Sequence, residues 1–187
     1  MTTKREDIIE ATCQLLELQG YHATGLNQIV QESGAPKGSL YHYFPEGKDE
    51  LVAEALERAG QANVANIERA LAAHDDPAEA VTSFIRLLAG YVAESGYRQG
   101  GPITAVALEA ASTNERLRLA CRDVYRRLEA TFADKLRPAY GDARAAQLAT
   151  LIIAAIEGGI ILARSERSDQ PLLDVAGMVG LLLERTC

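Results

Sequence analysis

The stretch SGAPKGSLYHYF, residues 33–44, decides how the N-terminal part of the chain is read. Gly34 and Pro36 make a tight corner, because glycine tolerates left-handed backbone and proline suits the first turn of a helix. Beyond that corner Leu40, Tyr43 and Phe44 recur at three- and four-residue steps, which predicts one buried face of a short helix over about 37–44. Lys37, Ser39, Tyr41 and His42 are then directed away from the core. They form a compact set of hydrogen-bonding groups, and Gly38 beside them leaves the helix backbone free to approach a partner closely.

Upstream, Ile8, Ala11, Leu15 and Leu18 mark the inner face of a helix from Arg5 to Leu18, with Gly20 placed to end it. Leu26, Ile29 and Val30 predict a second, short helix over 27–33. Two helices joined by a glycine corner and packed on a preceding helix make a helix-turn-helix unit, whose second helix lies in the major groove of DNA. In that placement Lys37 neutralises a phosphate or donates to guanine, and Tyr41 and His42 reach phosphate oxygens. Thr24, Asn27 and Gln28 at the start of the second helix supply further contacts. Lys48 opens the next helix, where free N–H groups and the helix dipole favour phosphate.

Charge opposes this reading. Residues 1–50 carry Lys4, Arg5, Lys37 and Lys48 against eight carboxylates, so this segment is acidic, contrary to the usual nucleic-acid footprint. An interface here requires Glu6, Asp7, Glu10, Glu17, Glu32 and Glu46 to lie away from the docking surface, and it implies a modest salt dependence. Singly, each of Tyr41 and His42 reads as a surface residue of a helical bundle rather than as a contact. Their order around the glycine corner is what favours an interface.

The remainder of the 187 residues is helical in pattern: 48% of the chain is apolar, strand-type runs are missing and only six prolines occur. A long helix is predicted over 48–73, with Asp49 and Glu50 in its first turn, and HDDP (74–77) turns the chain. A helix over 78–95 places Val81, Phe84, Ile85, Leu88, Tyr91 and Val92 inward, and the glycine-rich SGYRQGG (95–101) interrupts before a short helix over 102–111. Over 114–136 the set Leu117, Cys121, Val124, Leu128 and Phe132 marks one face. Arg116, Arg118, Arg122, Arg126 and Arg127 lie largely off it, as a solvated face or an anion site.

After RPAYGD (137–142), two last helices over 143–166 and 171–185 are apolar nearly all round. Such a helix is either the central rod of one bundle or is covered on its second side by another copy of the chain. Ala154, Ala155, Gly158 and Gly159 would permit close approach, and Met178 and Leu182 extend the same dimerisation surface.

Other function classes find little support. Met1 leads directly into a polar TTKRED segment, which predicts no secretory leader. The apolar run 148–163 is shorter than a bilayer requires and carries Glu157, predicting a buried helix of a soluble, cytoplasmic protein and no membrane partner. Cys13, Cys121 and Cys187 are odd in number and lie at neither metal nor redox spacing, which predicts free thiols. A formal charge of −7 argues against coating nucleic acid through bulk electrostatics. There is no G-x-S-x-G and no histidine pair at metal spacing, and His22, His42 and His74 lie far apart, so no enzyme, metal or cofactor is expected. A pure dimerisation or adaptor module keeping the helix-turn-helix shape is the remaining alternative.

The segment 20–51, GYHATGLNQIVQESGAPKGSLYHYFPEGKDEL, resembles the DNA-binding domain of TetR-family transcriptional regulators. Its most specific part is the order Gly34, Lys37, Gly38, Ser39, Leu40, Tyr41, His42, Tyr43, Phe44, followed by Lys48, Asp49 and Glu50. Gly25 departs from the Ser or Thr common before the second helix, and Gly47 resembles a one-residue insertion. FPEGK together with GGPITAVALEAAS (100–112) is similar to the LmrA/YxaF-like subgroup.

The resemblance implies an all-α protein of about nine helices, with a helix-turn-helix DNA-binding domain over 1–50 and an effector-binding and dimerisation domain over 51–187. It places Lys37, Gly38, Ser39, Tyr41 and His42 on the recognition helix, and Lys48 on a phosphate. It further implies a homodimer through the last two helices, a palindromic operator and release of a repressor by a small, largely hydrophobic effector. Cavity candidates are Phe84, Leu88, Tyr91, Ile103, Val106, Tyr125 and Glu157, each of which also reads as plain core.

Overall fold

The computed structural model describes residues 3–184; Cys187 and the expected last residue of the final helix, 185, lie outside the described residues. Among the described residues the secondary structure is helical throughout: α1 Lys4–Ala23, α2 Leu26–Ser33, α3 Lys37–Tyr43, α4 Lys48–Leu71, α5 Pro77–Glu94, α6 Pro102–Ala110, α7 Glu115–Tyr140, α8 Asp142–Glu166 and α9 Gln170–Glu184. The helices form two compact units. The first runs to Ala62 and includes Gly101–Tyr125; the second takes Asn63–Gly100 and the chain from Arg126 onward.

In the first unit α1 packs against α2, α3 and α6. It begins with a reciprocal cap: the Thr3 hydroxyl accepts the Glu6 N–H at 3.3 Å, and the Glu6 carboxylate accepts the Thr3 N–H at 2.7 Å. Hydrogen bonding to the Glu6 carboxylate, first from the Thr3 backbone and then from its side chain, favours the ionised form and holds the pKa below the usual carboxylate value. The inner stripe of α1 is Ile8, Ile9, Ala11, Thr12, Leu15 and Leu16. Leu18, expected inward, is 39% exposed, because it falls about 100° around the helix from the centre of that stripe. The regular helix breaks at Gly20, as expected: that residue, at φ 79° and ψ −176°, is non-helical, and beyond this kink a further turn runs to Ala23.

In the second unit α5 packs on α8 and α9, and α8 packs on α9. Asp76 caps α5 by accepting the Glu79 N–H at 2.8 Å. Phe84 meets Phe132 edge to face with ring centroids 5.6 Å apart. The break expected at Arg137 is displaced: α7 continues through Pro138, which sits in the last turn, and Gly141 at φ 72° makes the corner. Likewise α8 spans 25 residues, more than its apolar run, so length and composition alone would allow a membrane span. Its packing makes it a core helix instead, with Leu148, Ile152, Ile156 and Ile160 buried.

Candidate nucleic-acid interface

The corner between α2 and α3 is closed by Gly34 in the left-handed conformation at φ 62°, its N–H bonded to the Gln31 carbonyl at 3.4 Å. An L-residue with a side chain would be strained there. Leu40 and Phe44 are fully buried, and Ala35 nearly so. Tyr43, expected beside them, is instead 37% exposed. The helix stops at Tyr43, with Phe44 at φ −130° and ψ 71° as its C-cap; Tyr43 lies about 60° around the helix from Leu40, at the margin of the buried face. The Arg5 guanidinium covers the Phe44 ring at 5.5 Å and pairs with Glu54, which seals this anchor from the α1 side.

The outer face of α3 presents Lys37, Gly38, Tyr41 and His42 as exposed residues, with Ser39 half-buried at its edge. The His42 and Tyr43 rings meet edge to face at 5.1 Å, so Tyr43 belongs to this face. At the start of α2, Asn27 is exposed. Half-buried Gln28 accepts a hydrogen bond from Gln19 at 2.8 Å, tying α2 to α1.

Two expected contact residues are placed differently. Thr24 is fully buried and its hydroxyl donates to the Gly20 carbonyl at 2.7 Å, so it closes the last turn of α1 and presents no surface. Lys48 directs its Nζ inward, 2.6 Å from the Tyr21 carbonyl and 4.0 Å from the centre of the Tyr21 ring. Burial draws its pKa below the usual lysine value, with the charges of Asp49 and Glu109 opposing.

Several carboxylates are held by other parts of the unit, while Glu32 stays exposed on α2 itself. Glu17 accepts the Gly101 N–H at 2.8 Å, and Glu46 pairs with Arg116. Glu50 accepts the Glu46 N–H at 2.9 Å. Asp49 accepts the Tyr21 hydroxyl and the Asn114 amide, each at 2.6 Å. Glu109 accepts the His22 N–H at 2.8 Å. Negative charge is thus drawn toward α6 and the start of α7, while Lys37 stands exposed on α3. No sequence periodicity could reveal the grouping of Tyr21, Asp49 and Asn114, because its members lie 28 and 65 residues apart.

This arrangement matches known proteins along nearly its whole length. Residues 8–55 match the family model for bacterial regulatory proteins of the tetR family. Residues 77–178 match that of the LmrA/YxaF-like transcriptional regulator C-terminal domain. The chain belongs to the TetR family of transcriptional regulators. It is 43% identical to the HTH-type transcriptional regulator YxaF of Bacillus subtilis, over 97% of this chain and 95% of that protein. It is 38% identical to the HTH-type transcriptional regulator LmrA of Bacillus subtilis, over 97% of each chain. In fold it is similar to the regulatory protein TetR from Rhodobacter sphaeroides, with a TM-score of 0.85 at 22% identity, covering 96% of this chain and 98% of that one. As a TetR-family member it is a DNA-binding transcriptional regulator and not an enzyme. Regulators of this family bind operator DNA and act as dimers.

The other candidates are placed as follows. Phe84 and Leu88 are half-buried in the second unit, Tyr91 is 46% exposed and Glu157 is half-buried. In the first unit Ile103 and Val106 are fully packed, and the hydroxyls of Tyr125 and Thr104 lie 3.1 Å apart. On α8, Ala154 is exposed while Ala155 and Gly158 are half-buried. Gly159 instead faces α9, where a β-carbon would come within 2.8 Å of Leu172. Met178 is 66% exposed and Leu182 half-buried.

Proposed function

We propose that this regulator is a cytoplasmic, ligand-responsive repressor that binds a palindromic operator as a homodimer. The observation that carries the reading is the division of α3, in which buried Leu40 and Phe44 anchor a helix whose outer face offers Lys37, Tyr41 and His42. Lys37, Gly38, Ser39, Tyr41 and His42 would meet the major groove, with Asn27 and Gln28 at its edge. A direct role for Thr24 is not carried forward, since its side chain is fully buried.

In this reading residues 1–50 form the DNA-binding domain and 51–187 the effector-binding and dimerisation domain. Dimerisation draws on the exposed apolar residues of α8 and α9: Leu151, Ile161, Leu162, Met178 and Leu181. A monomer in water gains nothing from leaving them uncovered. The effector is a small, largely hydrophobic molecule, for which half-buried Phe84 and Leu88 on α5 supply apolar surface. Such a molecule would release the operator by binding better to the conformation that cannot hold it.

The test is operator binding by Lys37→Ala and Tyr41→Ala, using a palindromic fragment recovered from genomic DNA by the wild-type protein. Both variants are expected to bind roughly tenfold or more weakly, the value of one charge-assisted hydrogen bond. Unchanged affinity in both would remove α3 from the interface.

A further inference from the structure

We propose that Arg116, at the start of α7, serves operator binding by neutralising Glu46 beside the end of α3. It supplies, from far outside the helix-turn-helix sequence, a positive charge that this sequence lacks. The inference rests on the reading of α3 as the operator-reading helix.

The helix-turn-helix segment is short of positive charge. Residues 1–50 carry four lysines and arginines against eight carboxylates, and one of the four, Arg5, is already paired with Glu54. Operator phosphates are negative, so a carboxylate that keeps its charge near α3 opposes binding. Glu46 is such a group: it is exposed and stands two residues beyond Phe44, the C-cap of α3. The turn that carries it is closed by the Gly47 N–H, which donates to the Phe44 carbonyl at 3.1 Å. That turn keeps Glu46 within about 10 Å of the last turn of α3, roughly one Debye length at 0.1 M salt.

Arg116 meets Glu46 there. Its guanidinium pairs with the Glu46 carboxylate, although the two residues lie 70 apart in the chain. Residues 101–125 belong to the same compact unit as α1, α2 and α3, so the start of α7 is built into the DNA-binding part. Asn114 fixes that start: its side-chain oxygen accepts the Leu117 N–H at 3.2 Å, and its amide donates to Asp49 at 2.6 Å. The hydrogen bond to Glu46, opposed by desolvation and aided by the charges of Glu46, Glu50 and Asp49, holds the Arg116 pKa above the ordinary arginine value. Both partners stay partly exposed, and such a pair contributes little to folding. Its consequence is electrostatic: a carboxylate beside the reading helix becomes half of a neutral pair.

The test is operator affinity at low and high salt, using the fragment recovered by the wild-type protein and temperatures well below each variant's melting point. Arg116→Gln is expected to bind about threefold or more weakly at about 0.05 M salt, the worth of one poorly screened charge, and the gap should close as salt rises. Glu46→Gln is expected to shift affinity the opposite way, to tighter binding, because it frees the Arg116 charge. The double variant Arg116→Gln, Glu46→Gln should return to the wild-type value, and Arg116→Lys should keep it.

A pair that only ties α7 to the α3–α4 turn would behave otherwise. Each single variant would then weaken binding and the double variant would stay weak, a pattern that overturns the proposal. A double variant weaker than wild type with Glu46→Gln tighter would make Arg116 itself the phosphate contact, and it overturns the proposal too. Lys37→Gln separates this inference from the reading it rests on. Unchanged affinity in that variant counts against α3 as the reading helix, whereas a loss there with none in Arg116→Gln counts against the charge role alone.

Discussion

The carboxylate of Glu109 on α6 occupies the space beside the α-carbon of Gly20 on α1, and it accepts the backbone N–H of His22 at 2.8 Å. The His22 ring nitrogen Nε2 lies 3.3 Å from the Glu109 backbone oxygen, so one residue of α6 meets both sides of the last turn of α1. The contact exists because Gly20 adopts φ 79° and has no β-carbon.

Replacing Gly20 by alanine should therefore destabilise the protein by about 1–3 kcal/mol, from left-handed strain and the displaced carboxylate. Urea unfolding measures this. Glu109→Ala should add little once Gly20→Ala is present, because both remove the same contact. Fully additive losses would show that the two residues do not share it.

Thr24→Val should cost about 1 kcal/mol by removing the buried hydroxyl that donates to the Gly20 carbonyl, while leaving operator affinity unchanged. Chemical denaturation and a binding titration on the same sample separate the two effects. A large affinity loss without a stability loss would return Thr24 to the DNA interface.

Much of this was legible in the sequence because it depends on short-range rules. The glycine corner at Gly34, the leucine and phenylalanine anchors of α3 and the turn at 74–77 before α5 follow from backbone preference and helical period. Tyr43 differs because it lies about 60° around the helix from Leu40, at the margin of the buried face, where three- and four-residue spacing does not separate core from surface. The inward bonds of Thr24 and Lys48 have another cause. Helical period directs polar side chains outward, yet the carbonyls at the kinked end of α1 accept from these two donors, which only the packed structure brings to them.

Dimerisation through α8 and α9 predicts that Met178→Asp, at a position 66% exposed, will yield a folded monomer. Leu162→Asp should do the same. Light scattering after size exclusion measures the mass, and circular dichroism confirms retained helix. Operator affinity should fall by roughly 100-fold or more, since each monomer then binds one half-site without the gain from linkage. A variant that remains dimeric would place the interface elsewhere.

The two described thiols predict a pH response of definite sign. Burial pushes Cys13 up to about 12 and Cys121 up to about 11 from the ordinary value of 9.0. Burial, the hydrogen bond to Asp49 and the charge of Asp49 push Tyr21 up to about 12 from 10.0. Each group binds its proton more tightly when folded than when unfolded. Their contribution to stability is therefore complete below pH 9 and is lost as pH rises from 9 toward 12. Urea midpoints measured from neutral to alkaline pH should decline through this window, and less steeply in Cys121→Ala. The same burial keeps both thiols protonated near neutral pH. Alkylation resolved by peptide mass should thus be much slower at Cys13 and Cys121 in the folded protein than in urea. Equal rates folded and unfolded would mean that neither thiol is shielded.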